Sequence, residues 1–288
     1  MSVGLNPTLQ RTIQVASTLP NGVNRALEAR HDVAGKGANV ARVLTQLDIP
    51  VRHLSHAGGE NRDIWLAGCR DDDIDVVAPP APGGVRTCVT ILERDRGSAT
   101  EFIEPAAEVD AGTVRSVREA FERELSDSTV LVIAGSMAPG YPRETYLEMI
   151  EAARHRGVGV AIDVSGAVLR DVVRRQPDLI KVNVREFGTT FTPELADRLA
   201  DLESRSRSVF EMEDVREKFR RVLVRLAQEG TAVVLSQGAR PTIIVDPERE
   251  ELVEVDTIPL DPVNTIGCGD TMTAGLESRY FSTGAPLV

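Results

Sequence analysis

The sequence predicts an α/β protein built on a mainly parallel sheet, with a smaller β-sheet beside it. Three observations carry that expectation. Short β-branched runs alternate with amphipathic segments through the middle of the chain. Those runs are apolar throughout, as strands covered on both faces must be. Two other stretches are extended but half-polar, which suits a sheet with one solvated face.

The half-polar stretches are Arg11–Ala34 (RTIQVAS, ALEARHDVA) and Gly84–Ala106 (VRTCVTILE, ATEFIEP), broken by turns such as ERDRGSA. They are expected to pair as antiparallel strands in a small lid sheet over about 11–34 and 84–106. Between them, AGKGANVARVL (34–44) runs from glycines into an apolar-periodic helix. Helices are expected over Ala111–Leu125, Pro142–Arg156 and Met212–Gln228, where apolar residues recur at three- and four-residue steps. Pro142 fits a first helical turn, and Gly230 follows the last of the three. Strands are expected at Thr129–Ala134, Val158–Val164, Asp178–Asn183 and Thr231–Ser236. Thr189–Arg207, rich in charge, reads as a surface helix and loop, and Met272–Leu276 as a helix. Because the half-polar stretches interrupt the main sheet in sequence, residues 1–288 are expected to form one domain.

Composition excludes several classes. At 288 residues, with 42% hydrophobic and 27% charged side chains, the chain can bury a core without disulfide or metal staples. A net charge of -11 repels nucleic acid and anionic lipid, so neither is expected as a partner. Any anionic ligand must therefore meet local positive potential. Three cysteines without CxxC spacing fit a reducing compartment; there is no long apolar run and no signal core, so a cytoplasmic protein is expected.

Two loops carry chemistry. In Gly35-Lys36-Gly37-Ala38-Asn39, small residues let backbone approach a ligand at a helix start. Lys36 adds charge, and Asn39 offers both donor and acceptor to hydroxyls. The same run also reads as a Gly-rich turn capped by Asn39. In Gly267-Cys268-Gly269-Asp270, successive N–H groups at a helix start form an anion cradle, and Asp270 can accept a proton from a hydroxyl. Here the plain alternative is an aspartate favoured in a first helical turn. GxxxxGK[ST], GxGxxG, HExxH and GxSxG are all absent, which removes support for P-loop, dinucleotide-binding, zinc-protease and serine-hydrolase chemistry. His53 and His56 form HxxH without a convincing third ligand.

Taken together, these loops resemble the ribokinase-like (PfkB) carbohydrate kinases, especially the 1-phosphofructokinase and tagatose-6-phosphate kinase branch. Supporting matches run along nearly the whole chain: Leu5-Asn6-Pro7, Val23-Asn24-Arg25, AGKGANVARVL (34–44), GSMAPGYPRETY (135–146), AIDVSG (161–166), Lys181/Asn183/Glu186, SQG (236–238) and NTIGCGDTMTAG (264–275). The resemblance implies a three-layer α/β/α fold with a β lid, using ATP and Mg²⁺ to phosphorylate a sugar or sugar phosphate, with hexose phosphate preferred. It implies Asp270 as base and Gly267, Cys268 and Gly269 as the anion hole. It implies acceptor contacts from Asn6, Arg25, Gly35, Lys36, Gly37, Asn39 and Arg86, the two arginines serving a substrate phosphate. Lys181, Asn183, Glu186, Ser236 and Gly238 would line the nucleotide site, with Mg²⁺ held through Glu186 and the ATP phosphates. A homodimer through the lid is a further implication.

The chain departs from the branch pattern at three places. Gln10 stands where an Asp contacts the sugar, and Cys88 and Thr90 replace the lid's usual Asn and Lys. The family also continues past the final glycine motif with helices that finish the adenine pocket, and these are expected to be missing here. Two alternatives follow: a non-catalytic sugar-binding or regulatory relative, and a nucleoside kinase of the same superfamily. The lid arginines weigh against the second.

Overall fold

The computed structural model describes residues 1–204, 208–248, 252–259, 266–283 and 287. Residues 205–207 of the charged segment, and Asn264 and Thr265 of the second loop, lie outside them. The fold is a three-layer α/β structure with a large, mostly parallel sheet and a small separate sheet. Its chain divides into two compact units, residues 2–124 with 137–141, and Met1 with 125–136 and 142–288.

In the first unit, β1 (Ser2–Val3), β4 (Arg52–Leu54) and β6 (Asp75–Val77) pair in parallel. The small sheet has the order β3-β2-β8-β9, with β2 at Thr8–Val15, β3 at Glu28–Ala34, β8 at Arg86–Glu93 and β9 at Ser98–Ile103. The expectation of antiparallel pairing throughout is corrected here: β2 and β8 run parallel over eight residue pairs. The long connection between β3 and β8, through α1 (Lys36–Gln46) and α2 (Arg62–Asp71), allows the chain to return in the same direction. A short parallel pair, β5 (Ala57–Gly58) with β7 (Pro80–Ala81), and α3 (Ala111–Leu125) complete the unit. Helix α1 forms because Gly37, Val40, Ala41 and Leu44 recur on one face and are buried there. Trp65 and Cys69 of α2 pack with Leu9, Val33 and Ala38 in the same core.

The second unit holds β10 (Val130–Ala134), β11 (Gly159–Asp163), β12 (Leu179–Asn183) and β13 (Ala232–Gln237), all parallel. Two antiparallel strands, β14 (Arg240–Val245) and β15 (Leu252–Val255), extend its edge. The helices are α4 (Thr145–His155), α5 (Gly166–Val172), α6 (Val184–Phe191), α7 (Ala196–Ser204), α8 (Glu213–Gln228) and α9 (Cys268–Thr283). Pro142 lies just before α4, its carbonyl accepting from Thr145 N–H. Val215, Phe219, Leu223 and Leu226 form the buried stripe of α8. Each such fully buried Leu or Phe contributes roughly 1.5–3 kcal/mol.

Candidate active site

The first unit gathers most of the residues expected to contact the acceptor around Thr8. In the small sheet Thr8 lies opposite both Ala34 and Arg86. Arg86 Nε donates to Thr8 Oγ1 at 3.0 Å, and Thr8 Oγ1 donates to Asn6 O at 3.3 Å. A Cβ on Gly35 would stand 3.3 Å from Asn6 O, so the glycine loop and the Asn6 turn touch. Gly35, Lys36, Gly37 and Asn39 follow at the start of α1. Gly37 is compulsory: a Cβ there would meet Gly4 Cα and N at 2.8 Å and His53 Cε1 at 2.9 Å. Ser2 Oγ holds its carbonyl at 2.8 Å. Arg25 is not part of this cluster. It sits on an exposed loop beyond the Gln14–Glu28 pair, at the other end of β2. Six residue steps separate Thr8 from Gln14, about 20 Å of strand.

Two of the departures from the branch pattern touch each other. Gln10 Nε2 donates to Thr90 Oγ1 at 2.8 Å, with both side chains buried. A neutral amide–hydroxyl pair thus joins β2 and β8 inside the small sheet. Neighbouring Cys88 is also buried, and burial raises its thiol pKa above the ordinary value.

His53 and His56 are core residues, and among the described residues no group of three or more His, Cys, Asp or Glu is placed to hold a metal. His56 Nδ1 meets Tyr141 Oη at 2.9 Å, and the His53 ring lies 6.3 Å from that of Trp65. Burial pushes both histidines down to about 4.

The second unit carries the other residue set at the carboxyl ends of its parallel strands, where ligands bind in open α/β sheets. Asn183 and Ser236 face each other in the β12–β13 register, and Gly238 turns the following hairpin at φ 66°. With Leu199, Leu202 and Val209 they line a cavity of about 360 Å³, its lining part polar and part apolar. Asn183 and Glu186 also form a capping box on α6. Asn183 Oδ1 accepts from Glu186 N–H at 2.7 Å, and Asn183 N–H donates to Glu186 Oε2 at 3.0 Å. The three-residue spacing thus builds the helix start that presents these side chains.

Gly267, Cys268, Gly269 and Asp270 lie at the start of α9, with Cys268 exposed and Asp270 buried. Beneath them lies a network that sequence reasoning assigned only in part. Lys181 Nζ donates to Asp163 Oδ2 at 3.2 Å, and Thr273 Oγ1 donates to the same oxygen at 2.8 Å. Lys181 is 4% exposed and Asp163 is fully buried. A Cβ on Gly269 would stand 2.8 Å from Lys181 Nζ, so the Lys181 head group lies directly against the backbone of the Gly267–Asp270 turn. Lys181 is therefore buried behind the loop. Asp163 and Thr273 were missed as site residues, although Asp163 is the one charged side chain in an otherwise apolar strand run.

A three-layer α/β fold with a small second sheet and glycine-rich helix starts in both units is the architecture of a sugar kinase. The model of the pfkB family carbohydrate kinases matches residues 6–288, and the chain belongs to that family. It is thus a carbohydrate kinase, a phosphotransferase. Solved structures resemble it over nearly its whole length. Phosphofructokinase-2 from Escherichia coli, in complex with substrates and products, is 23% identical with a TM-score of 0.82, covering 99% of this chain and 87% of that one. A possible 1-phosphofructokinase from Thermotoga maritima is 22% identical with a TM-score of 0.82, covering 98% and 85%. A putative ribokinase from Agrobacterium tumefaciens is 15% identical with a TM-score of 0.73, covering 94% and 80%. Among the described residues, no helix is long and apolar enough to cross a membrane.

Proposed function

We propose that the protein transfers the γ-phosphoryl group of ATP to a hydroxyl of a hexose phosphate, with Asp270 as general base. The observation that carries this reading is the start of α9. There, Gly267–Gly269 N–H groups and a buried Asp270 are backed by the locked Lys181–Asp163–Thr273 network. Asp270 takes the hydroxyl proton as the new O–P bond forms and the bond from the γ-phosphorus to the bridging oxygen breaks, ADP leaving with the electron pair. The N–H groups of Gly267, Cys268 and Gly269 hold the charged phosphoryl oxygens. Asn6, Gly35, Gly37 and Asn39 hold the sugar, while Arg86, oriented by Thr8 and the Glu104 carbonyl, receives its phosphate. Lys36 adds positive potential there. We read 1–288 as one kinase domain, with 11–34 and 84–106 as its lid.

The cavity of about 360 Å³ suits a nucleotide, with Leu199, Leu202 and Val209 offered to the base and Ser236 and Gly238 to its polar parts. Mg²⁺ keeps most of its waters and needs few carboxylates, so Glu186 with phosphate oxygens is a fitting donor set. Bound there, Mg²⁺ neutralises phosphate charge. Three free thiols support a reducing, cytoplasmic setting. Exposed Phe102 and Ile103 on edge strand β9, with Leu19, Val23 and Leu27, support pairing of two copies through the lid.

The test is a coupled ADP-release screen over free hexoses, hexose monophosphates and nucleosides with MgATP. Turnover on a hexose monophosphate supports the reading. Turnover confined to nucleosides, or none on any acceptor, contradicts it.

A further inference from the structure

One arginine in the acceptor unit has no assigned role. Arg42, one turn after Asn39 on α1, donates from Nη1 to Asn39 Oδ1 at 2.9 Å. Its Nε and Nη2 both donate to Asp72 Oδ2, at 2.9 and 2.8 Å, and Nη2 also donates to the carbonyl of Val33. The guanidinium is thereby tied to the end of α2 and the end of β3. Its side chain is only 21% exposed.

We propose that Arg42 is a positioning residue that fixes the Asn39 amide, so that position 39 meets the acceptor as a hydrogen-bond donor. The reasoning is chemical. A guanidinium has five N–H donors and no acceptor, so only the amide oxygen can face it. An asparagine amide otherwise has two nearly isosteric orientations, one offering an oxygen and one an NH₂. With Oδ1 turned to Arg42, Nδ2 points elsewhere, and whatever it meets must supply a lone pair. The proposal rests on the reading of Asn39 as an acceptor contact and sharpens it. The group recognised there is an oxygen acting as acceptor, so that hydroxyl keeps its own proton to donate elsewhere. A sugar with a protonated amine at that position presents only donors and is rejected, since the site leaves polar groups unpaired.

The experiment measures acceptor affinity by calorimetry, and kcat and KM for both substrates, in the full-length protein. The probe is the tightest binder from a panel of hexose monophosphates that includes fructose 6-phosphate. Arg42→Met is expected to weaken acceptor binding about tenfold, the effect of one lost oriented hydrogen bond. The KM for ATP should stay unchanged and kcat within about twofold. In an Asn39→Ala background the same change should add less than about twofold, because coupled residues are not additive. Arg42→Lys, which also carries only donors, should recover most of the loss. Asp72→Asn keeps the guanidinium but loosens it, and should weaken the acceptor two- to threefold even if Arg42→Met folds poorly. Full additivity with Asn39→Ala, or no rescue by lysine, overturns the proposal. An effect of Asn39→Ala without one of Arg42→Met overturns it too, leaving Asn39 as a contact. No effect of either variant, in a protein that turns over, overturns the role of Asn39 as well.

Discussion

Gly269→Ala tests the coupling between the anion cradle and the buried network behind it. The new Cβ would lie 2.8 Å from Lys181 Nζ, against the 3.4 Å at which ordinary contact begins, so about 0.6 Å must be found. Lys181 cannot easily retreat, being 4% exposed and held at 3.2 Å by a fully buried Asp163. Separating that pair would leave an uncompensated buried charge, at roughly 3–5 kcal/mol. Moving the start of α9 outward is cheaper, so the N–H groups of the cradle shift instead. Loss of one well-placed donor costs about 10²–10³ in kcat, or ~2.7–4 kcal/mol of transition-state stabilisation. The assay is kcat by coupled ADP release, alongside calorimetric acceptor binding, which should stay within twofold. Gly267→Ala is the control. Its φ of 82° strains any side chain by roughly 1–2 kcal/mol, but nothing among the described residues stands within 4 Å, so kcat should fall less. A Gly269→Ala enzyme within about threefold of wild-type kcat would refute the reasoning.

Acid should destabilise the protein through its buried histidines. His53 and His56 sit at about 4 when folded and near 6.5 when unfolded, so the unfolded chain binds more protons between those values. Stability is complete above pH 6.5 and falls toward pH 4, by up to about 3 kcal/mol per histidine. Urea midpoints at pH 7 and pH 5 measure it, and an equal drop in a His56→Gln variant would count against that share. Glu277 behaves in the opposite sense: both carboxyl oxygens are buried without a hydrogen-bond partner among the described residues, and burial raises the carboxyl well above the usual range. Its contribution is lost as pH rises through the raised value, so Glu277→Gln should increase Tm at pH 8; a lower Tm would overturn this. Thr90→Val leaves the Gln10 Nε2 only its long, 3.5 Å bond to the Arg11 carbonyl and should cost about 1–3 kcal/mol in urea unfolding, whereas an unchanged midpoint would mean that bond suffices.

Much of the layout is legible in the sequence because it rests on local pattern. The apolar runs at Thr129–Ala134 and Thr231–Ser236 became parallel strands, and both glycine loops became helix starts. Strand direction was not legible, because period-two alternation marks a strand without saying which way its neighbour runs. The Gln10–Thr90 pair escaped for that reason: it depends on a parallel register between residues 80 apart. The Asp163–Lys181–Thr273 network joins three elements in the same way, and no spacing announces it. Asn183 and Glu186 were legible at the right positions, but their spacing serves helix capping as well as any ligand. Helix α9 runs from Cys268 to Thr283, beyond the expected Met272–Leu276 at both ends; at its start, glycines at 267 and 269 mask the helical pattern.

The most direct test of the central claim is kcat of Asp270→Asn, measured with saturating MgATP and the best hexose monophosphate. The amide keeps the shape of the carboxylate but cannot take a proton. The account predicts a fall in kcat of about 10²–10⁴, with acceptor affinity within twofold of wild type and an unchanged Tm. An Asp270→Asn enzyme retaining kcat within tenfold of wild type would contradict it.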